Sequence, residues 1–260
     1  MKESEVLDKQ IASFDVWLPF RNLFSYLKYT ESSHLRLLFH EFNSTGLNRK
    51  GERVLDFGFG NGHALFWFKP GSEIYGAEIS DKAIQTAKKR AMKKNYRVYN
   101  FVKPLSNDSV RLPFPDDFFT VVISSHTIEH AYDDEELLHE FFRVCRPEGK
   151  AFFIVPIDIY DENLLLEKNQ RLNPKFPENS FHVSSYNLNT FRYIVEKMGF
   201  TIIRSYKTDA LMDMKETRFR TIKPMGPIFS ILPYTFWSLL DRYTHRRGFH
   251  HKQAVVIATK

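Results

Sequence analysis

Glycines crowd behind an acid in Val54-Leu55-Asp56-Phe57-Gly58-Phe59-Gly60-Asn61-Gly62-His63. Such glycines let the backbone bend sharply and approach a ligand, and the apolar run before them would deliver that bend to the edge of a sheet. A dinucleotide fingerprint would place glycine or alanine at position 63, where His63 stands, and Asp56 would repel a pyrophosphate. An acid beside a glycine bend suits a ligand with an amine and no phosphate. Glu78 ends the next apolar run, where a carboxylate can accept both hydroxyls of a ribose. Asp108 and Ser109 follow a third run, and an acid there could accept from the exocyclic amine of an adenine. In order, these acids outline a nucleoside with an attached amino acid.

A second group could move protons. Ser125-His126-Thr127-Ile128-Glu129-His130 follows a fourth apolar run, and Asp158 and Tyr160 follow a fifth. His126 stands beside the strand end, and histidine is a side-chain type suited to proton transfer, so it is the catalytic candidate for deprotonating an acceptor. The Glu129-His130 pair reads equally well as a fastener that holds the turn under the glycine loop. His182 and Tyr186, at the start of a later helix, are further candidates. His245, His250 and His251 lack a carboxylate or cysteine at ligand spacing, so no metal centre is expected there or elsewhere.

These residues need a frame. Arg53–Phe57, Glu73–Glu78, Arg97–Val102, Phe119–Ser124 and Lys150–Pro156 read as buried strands by their length and their β-branched and aromatic content. Between them, Asp81–Lys94 and Asp133–Arg146 read as helices, the latter opening with Asp133 and Glu136 in a capping-box arrangement. Alternation of this kind implies right-handed crossovers and an α/β doubly wound, mostly parallel sheet with helices on both faces. Asn187–Met198 is expected as a helix closed by Gly199, followed by strands at Phe200–Tyr206 and Gln253–Thr259, the final strand antiparallel. The irregular stretch from Asp158 to Ser180 has the length of a lid or binding loop. One domain spans residues 1–260: a helical cap over 1–50, a core over 51–156 and a substrate-side half over 157–260 with an insertion at about 207–252.

The segment from about Arg53 to Pro156 resembles the cofactor domain of class I S-adenosylmethionine-dependent methyltransferases, of the broad small-molecule group called type 11. VLDFGFGNG is similar to its first motif, EIS to the second, NDSVRLPFPDDFF to the adenine segment, SSHTIEH to the turn after the fourth strand and RVCRPEGKAFFIVP to the last motif. The resemblance implies a Rossmann-like fold and S-adenosylmethionine as cofactor. It puts Asp56, Gly58 and Gly60 on the methionine and ribose side, and Glu78 on the ribose hydroxyls. Ile79 would pack on the adenine, Asp108 hold its amine, Ser109 give a backbone contact and Ser125 approach the methionine moiety. The chain departs from the group's pattern at Asn61, Asn107 and Thr120. Two alternatives remain open: a non-catalytic cofactor-binding scaffold, and a nicotinamide-dependent oxidoreductase, which His63 and Asp56 oppose.

Composition adds a location for the acceptor. The 260 residues are 43% hydrophobic and 26% charged, which excludes disorder and fibrous classes. Cys145 is the sole cysteine, so no internal disulfide forms, and no export signal is read at the start; a cytoplasmic protein is expected. The net charge of +6 is uneven: residues 201–260 hold eleven Lys and Arg against four Asp and Glu. Within about 207–252 these bases flank the apolar run Met225–Leu240, a pattern that suits peripheral contact with a membrane face or a cap over an apolar pocket. A small-molecule acceptor, apolar or lipid-linked, is the expected partner; no nucleic acid is expected, and oligomeric state is not legible.

Overall fold

In a computed structural model of the chain, the described residues are 51–60, 62, 68, 71–93, 99–102, 111–173, 182–208 and 250–260, with isolated positions at 11, 43, 46, 239–240, 242–243 and 246–247. The expected cap over 1–50 and most of the insertion at 207–252 therefore lie outside the described residues.

Among the described residues, seven strands form one sheet. They are β1 (Arg53–Phe57), β2 (Glu73–Ala77), β3 (Tyr99–Val102), β4 (Phe119–Ser125), β5 (Cys145–Pro156), β6 (Thr201–Thr208) and β7 (Gln253–Thr259), in the order β3-β2-β1-β4-β5-β7-β6. The pairs from β3 through to β5 are all parallel, and β7 runs antiparallel to both β5 and β6. The central strands are apolar on both faces because helices cover both. Val54, Val121, Ile123, Phe152 and Ile154 form one cluster with Ile84 and Ala87 of α1 (Asp81–Lys93). Leu55, Val122, Phe153 and Val155 form the other, with Leu137, Leu138 and Phe141 of α2 (Asp134–Val144) and Phe191, Ile194 and Val195 of α3 (Leu188–Lys197).

Local chemistry sets the helix ends. Asp133 caps α2 by accepting from the Glu136 N–H at 3.0 Å, and Asn187 caps α3 by accepting from the Thr190 N–H at 2.7 Å. Helix α2 stops at Val144, earlier than its acidic and apolar pattern suggests, because Pro147 disfavours helical backbone at Arg146 and cannot donate. The chain passes directly into β5. There Phe119 pairs with Cys145 but Val121 with Lys150, an irregularity accommodated by Glu148 at φ +62 and by Gly149. Burial pushes the Cys145 thiol up to about 12, which removes it as a nucleophile.

The described part of the stretch after β5 is pinned down. Arg171 is 1% exposed and grips Asp134 through two hydrogen bonds, of 2.7 and 3.1 Å, and Glu135 through a third of 3.1 Å. A buried guanidinium requires such partners, and the sequence pattern did not reveal them.

Candidate functional site

Strand β1 lies between β2 and β4, so the chain winds outward in opposite directions from β1 and β4. Ligands of open α/β sheets sit in the crevice at the carboxyl ends of such strands. Asp56 reaches that edge one residue before the end of β1, is 3% exposed, and its Oδ2 has no hydrogen-bond partner. Burial, with a smaller push from Glu78, raises its carboxyl to about 7. A ligand amine or hydroxyl would supply the missing donor.

The bend that follows is held from both sides. Gly58 has φ +72, and its N–H donates to the Ala77 carbonyl at 2.8 Å. A Cβ at this position would stand 2.7 Å from Thr127 Cβ and closer still to Oγ1 and Cγ2, so glycine is required by conformation and by space. The Gly60 N–H donates to Glu78 Oε2 at 2.9 Å, while Oε1 accepts from the N–H groups of Ile79 at 2.8 Å and Ser80 at 3.1 Å. Spacing alone suggested only a ribose contact for Glu78; its carboxylate also braces the glycine bend. Ile79 is half-buried beside it. Asp108 and Ser109 lie outside the described residues, as do Asn61 and His63. The departure at Thr120 has a clear local role: its Oγ1 accepts from the Arg53 N–H at 2.9 Å and donates to the Arg53 carbonyl at 3.0 Å, lacing β4 to β1.

On the other wall, Ser125 ends β4 opposite Ile154 of β5. His126 takes φ +54 and donates its N–H to the Ile154 carbonyl at 3.0 Å, and this left-handed residue turns the chain out of the sheet. Its Nδ1 lies 3.6 Å from Glu129 Oε1. Glu129 is fully buried in the short turn Ile128–His130, and neither carboxylate oxygen accepts a hydrogen bond. Burial pushes this carboxyl up, but His126 and His130 pull it down further, so it stays below the ordinary range. Its backbone carbonyl accepts from the N–H groups of Val183 at 2.7 Å and Ser184 at 3.1 Å. The turn thus fastens the segment before α3, whereas Thr127 makes the contact with Gly58.

That segment brings in His182, whose ring centroid lies 5.1 Å from that of His130. Its Nδ1 is 3.4 Å from Asp158 Oδ2, and this carboxylate raises its pKa against the opposing effect of burial. Tyr186 is a different case. It is completely buried and donates to Asp134 Oδ2 at 2.8 Å, and burial raises its pKa well above the usual phenol range, so it anchors the fold and does not act as a base. Tyr160 is engaged by Lys252 Nζ at 2.6 Å and packs on His250 at 4.5 Å. His245 lies outside the described residues. Among the described residues, the His and acid side chains at ligand spacing are Glu129, His130 and His182, away from the tail.

Residues 55–153 match a family described as a methyltransferase domain. The chain is 31% identical over 117 residues to 27-O-demethylrifamycin SV methyltransferase of Amycolatopsis mediterranei, covering 42% of this chain and 41% of that enzyme. It is 29% identical over 195 residues to a ubiquinone/menaquinone biosynthesis C-methyltransferase of Vibrio campbellii, covering 67% of each. The matched span is thus from about two-fifths to two-thirds of these relatives' own length. Among solved structures, phosphoethanolamine N-methyltransferase 2 of Haemonchus contortus, in complex with phosphomonomethylethanolamine and S-adenosylhomocysteine, aligns with a TM-score of 0.55. That alignment covers 84% of this chain and 51% of the other at 19% identity, a likeness of fold.

Proposed function

We propose that the protein moves a methyl group from S-adenosylmethionine to a small-molecule acceptor, a reading supported by the match of residues 55–153 to a methyltransferase domain. The observation that carries this reading is the buried Asp56 Oδ2, without a partner, beside a glycine bend at the β1 and β4 ends. Its position fits a cofactor with a cationic amine. Asp56, Gly58 and Gly60 would line the methionine and ribose side, with Glu78 on the ribose hydroxyls and Ile79 against the adenine. Asp108, Ser109 and Ser125 complete the proposed set.

When bound, the cofactor supplies an electrophilic methyl group on a sulfonium whose charge disappears on transfer. The protein's task is to align the acceptor in a water-poor crevice, and such positioning can supply about 7–11 kcal/mol in favourable cases. Glu78 holds the glycine bend through the Gly60 N–H, and Thr127 supports it from β4's side. A base is needed only for a hydroxyl or protonated amine. His126 is the residue we assign to that step; its Nδ1 lies 3.6 Å from Glu129 Oε1, which would stabilise the imidazolium formed.

The finer reading is an apolar or lipid-linked acceptor. The basic, aromatic composition of 207–252 supports it, and so does the relatives' chemistry, a quinone and a rifamycin by name. Leu239 and Tyr243, in the described part of that segment, are exposed, and no helix among the described residues is long and apolar enough to cross a membrane. Exposed apolar side chains of this kind are what peripheral contact with a membrane face would use. We read residues 1–260 as one domain whose half after residue 157 carries the acceptor specificity.

The test is incubation with methyl-labelled S-adenosylmethionine and fractionated cell extract. Label in the small-molecule or lipid fraction is expected. Label confined to protein or RNA would overturn the acceptor class, and tight cofactor binding with no label in any fraction would favour the scaffold reading.

A further inference from the structure

We propose that Glu129, His130 and His182 form a site for one divalent transition-metal ion on the acceptor side of the crevice. Each offers one ligand atom, and the three atoms lie within 4.8 Å of one another. The second observation is independent of the spacing. Glu129 is fully buried, yet neither carboxylate oxygen has a hydrogen bond, so both keep lone pairs for a ligated cation. His126 and His130 approach at 3.6 and 3.9 Å, ion-pair rather than hydrogen-bond distances.

The backbone assembles these ligands. Glu129 and His130 stand on the turn after β4, His182 on the segment before α3, and the Val183 and Ser184 N–H groups bind these pieces together through the Glu129 carbonyl. Ligands of a tetrahedral ion with bonds of about 2.0–2.1 Å lie roughly 3.4 Å apart, so the 3.9 Å between Glu129 Oε1 and His130 Nε2 closes by a small side-chain rotation. Asp158, 3.4 Å from His182 Nδ1, is placed as the outer carboxylate that orients a metal-bound imidazole through its other ring nitrogen.

Two imidazoles and one carboxylate select zinc, manganese, iron, cobalt or nickel over magnesium and calcium. Three protein ligands leave positions open, the pattern of a catalytic rather than a closed structural site. An open position beside the methyl-transfer crevice suits an acceptor that carries a hydroxyl or enol oxygen, whose proton the ion makes easier to remove. This assignment of substrate class rests on the methyl-transfer reading; ion binding does not.

The experiment uses untagged protein of residues 1–260, stripped with chelator and titrated with Co2+ by calorimetry and visible absorption. One ion per chain is expected. Glu129→Gln and His182→Ala should each weaken binding by roughly 100-fold or more, Asp158→Asn by about 10–100-fold, and His250→Ala not at all. Should Glu129→Gln fail to fold, as read by circular dichroism, the half-exposed His182 decides the matter. Absence of one-per-chain uptake at micromolar free Co2+, or uptake indifferent to His182→Ala, would overturn the site. Methyl transfer is assayed separately with and without chelator. Turnover unchanged by metal removal would overturn the hydroxyl-acceptor assignment, and ion binding without any turnover would instead count against the methyltransferase reading.

Discussion

Asp56 offers a quantitative test of the cofactor site. Its carboxyl stands at about 7, so at pH 7 it is half protonated in the ligand-free protein. A cationic amine lodged against Oδ2 favours the carboxylate, so binding of S-adenosylmethionine or S-adenosylhomocysteine at pH 7 should release about half a proton per site. The same relation gives about 0.9 proton at pH 6 and about 0.1 at pH 8. Titration calorimetry in two buffers of different protonation heat measures this directly. Stability moves with the same group. A carboxyl raised in the folded state contributes stability that is fully present below the unfolded value near 4 and is lost as pH rises through about 7. The penalty on the charged form amounts to about 4 kcal/mol. Asp56→Asn should therefore flatten the urea-unfolding profile between pH 4 and 7 and make the ligand-free protein more stable than wild type at pH 8. The same change should weaken cofactor binding by roughly 10–100-fold, the worth of a hydrogen bond to a charged group, and abolish the proton release. Tight binding at pH 7 with no proton release, or a destabilised Asp56→Asn protein that still binds normally, would refute the reasoning.

Gly58→Ala places a methyl group against the Thr127 side chain in a left-handed backbone, and should cost about 2–5 kcal/mol, read as a lowered thermal midpoint. Adding Thr127→Gly should restore the steric part and leave the conformational part. Arg171→Ala strands the buried Asp134 carboxylate and should cost about 3–5 kcal/mol, a fall of roughly 10 °C in midpoint, with cofactor affinity unchanged. His126→Ala should lower single-turnover methyl transfer while leaving cofactor affinity near wild type; an unchanged rate would remove it as the base. Co-sedimentation with anionic vesicles should fall as salt rises if the basic segment at 207–252 meets a membrane, and absence of sedimentation at low salt would end that idea.

Much of the fold was legible because its signals are local. The β-branched and aromatic runs that became β1, β2, β4 and β7 were expected to within a residue at each end. Gly58 carries its own conformational requirement, and Asp133 and Asn187 cap the helices that follow them through neighbouring N–H groups. The helix end at Val144 and the extended start of β5 were less legible, since Pro147 and an irregular pairing with β4 act against a helical pattern that continued to Arg146.

The site divides along the same line. Asp56, the glycines and Glu78 announce a ligand edge by their order along the chain, because a strand, a bend and the next strand's end are neighbours in any doubly wound sheet. Which groups are buried without partners, and which distant residues meet them, is not a property of sequence order. Arg171 reaching Asp134, Tyr186 withdrawn from the crevice, and His182 delivered beside Glu129 and His130 all depend on how the segment after β5 folds back over the turn after β4. Periodicity and turn chemistry act over a few residues, whereas desolvation and ion pairing are set by what packing brings within a few ångströms. The sequence by itself therefore determined the order of the acid, the glycine bend and the next strand's end, and the tertiary structure decided which groups meet at the turn after β4.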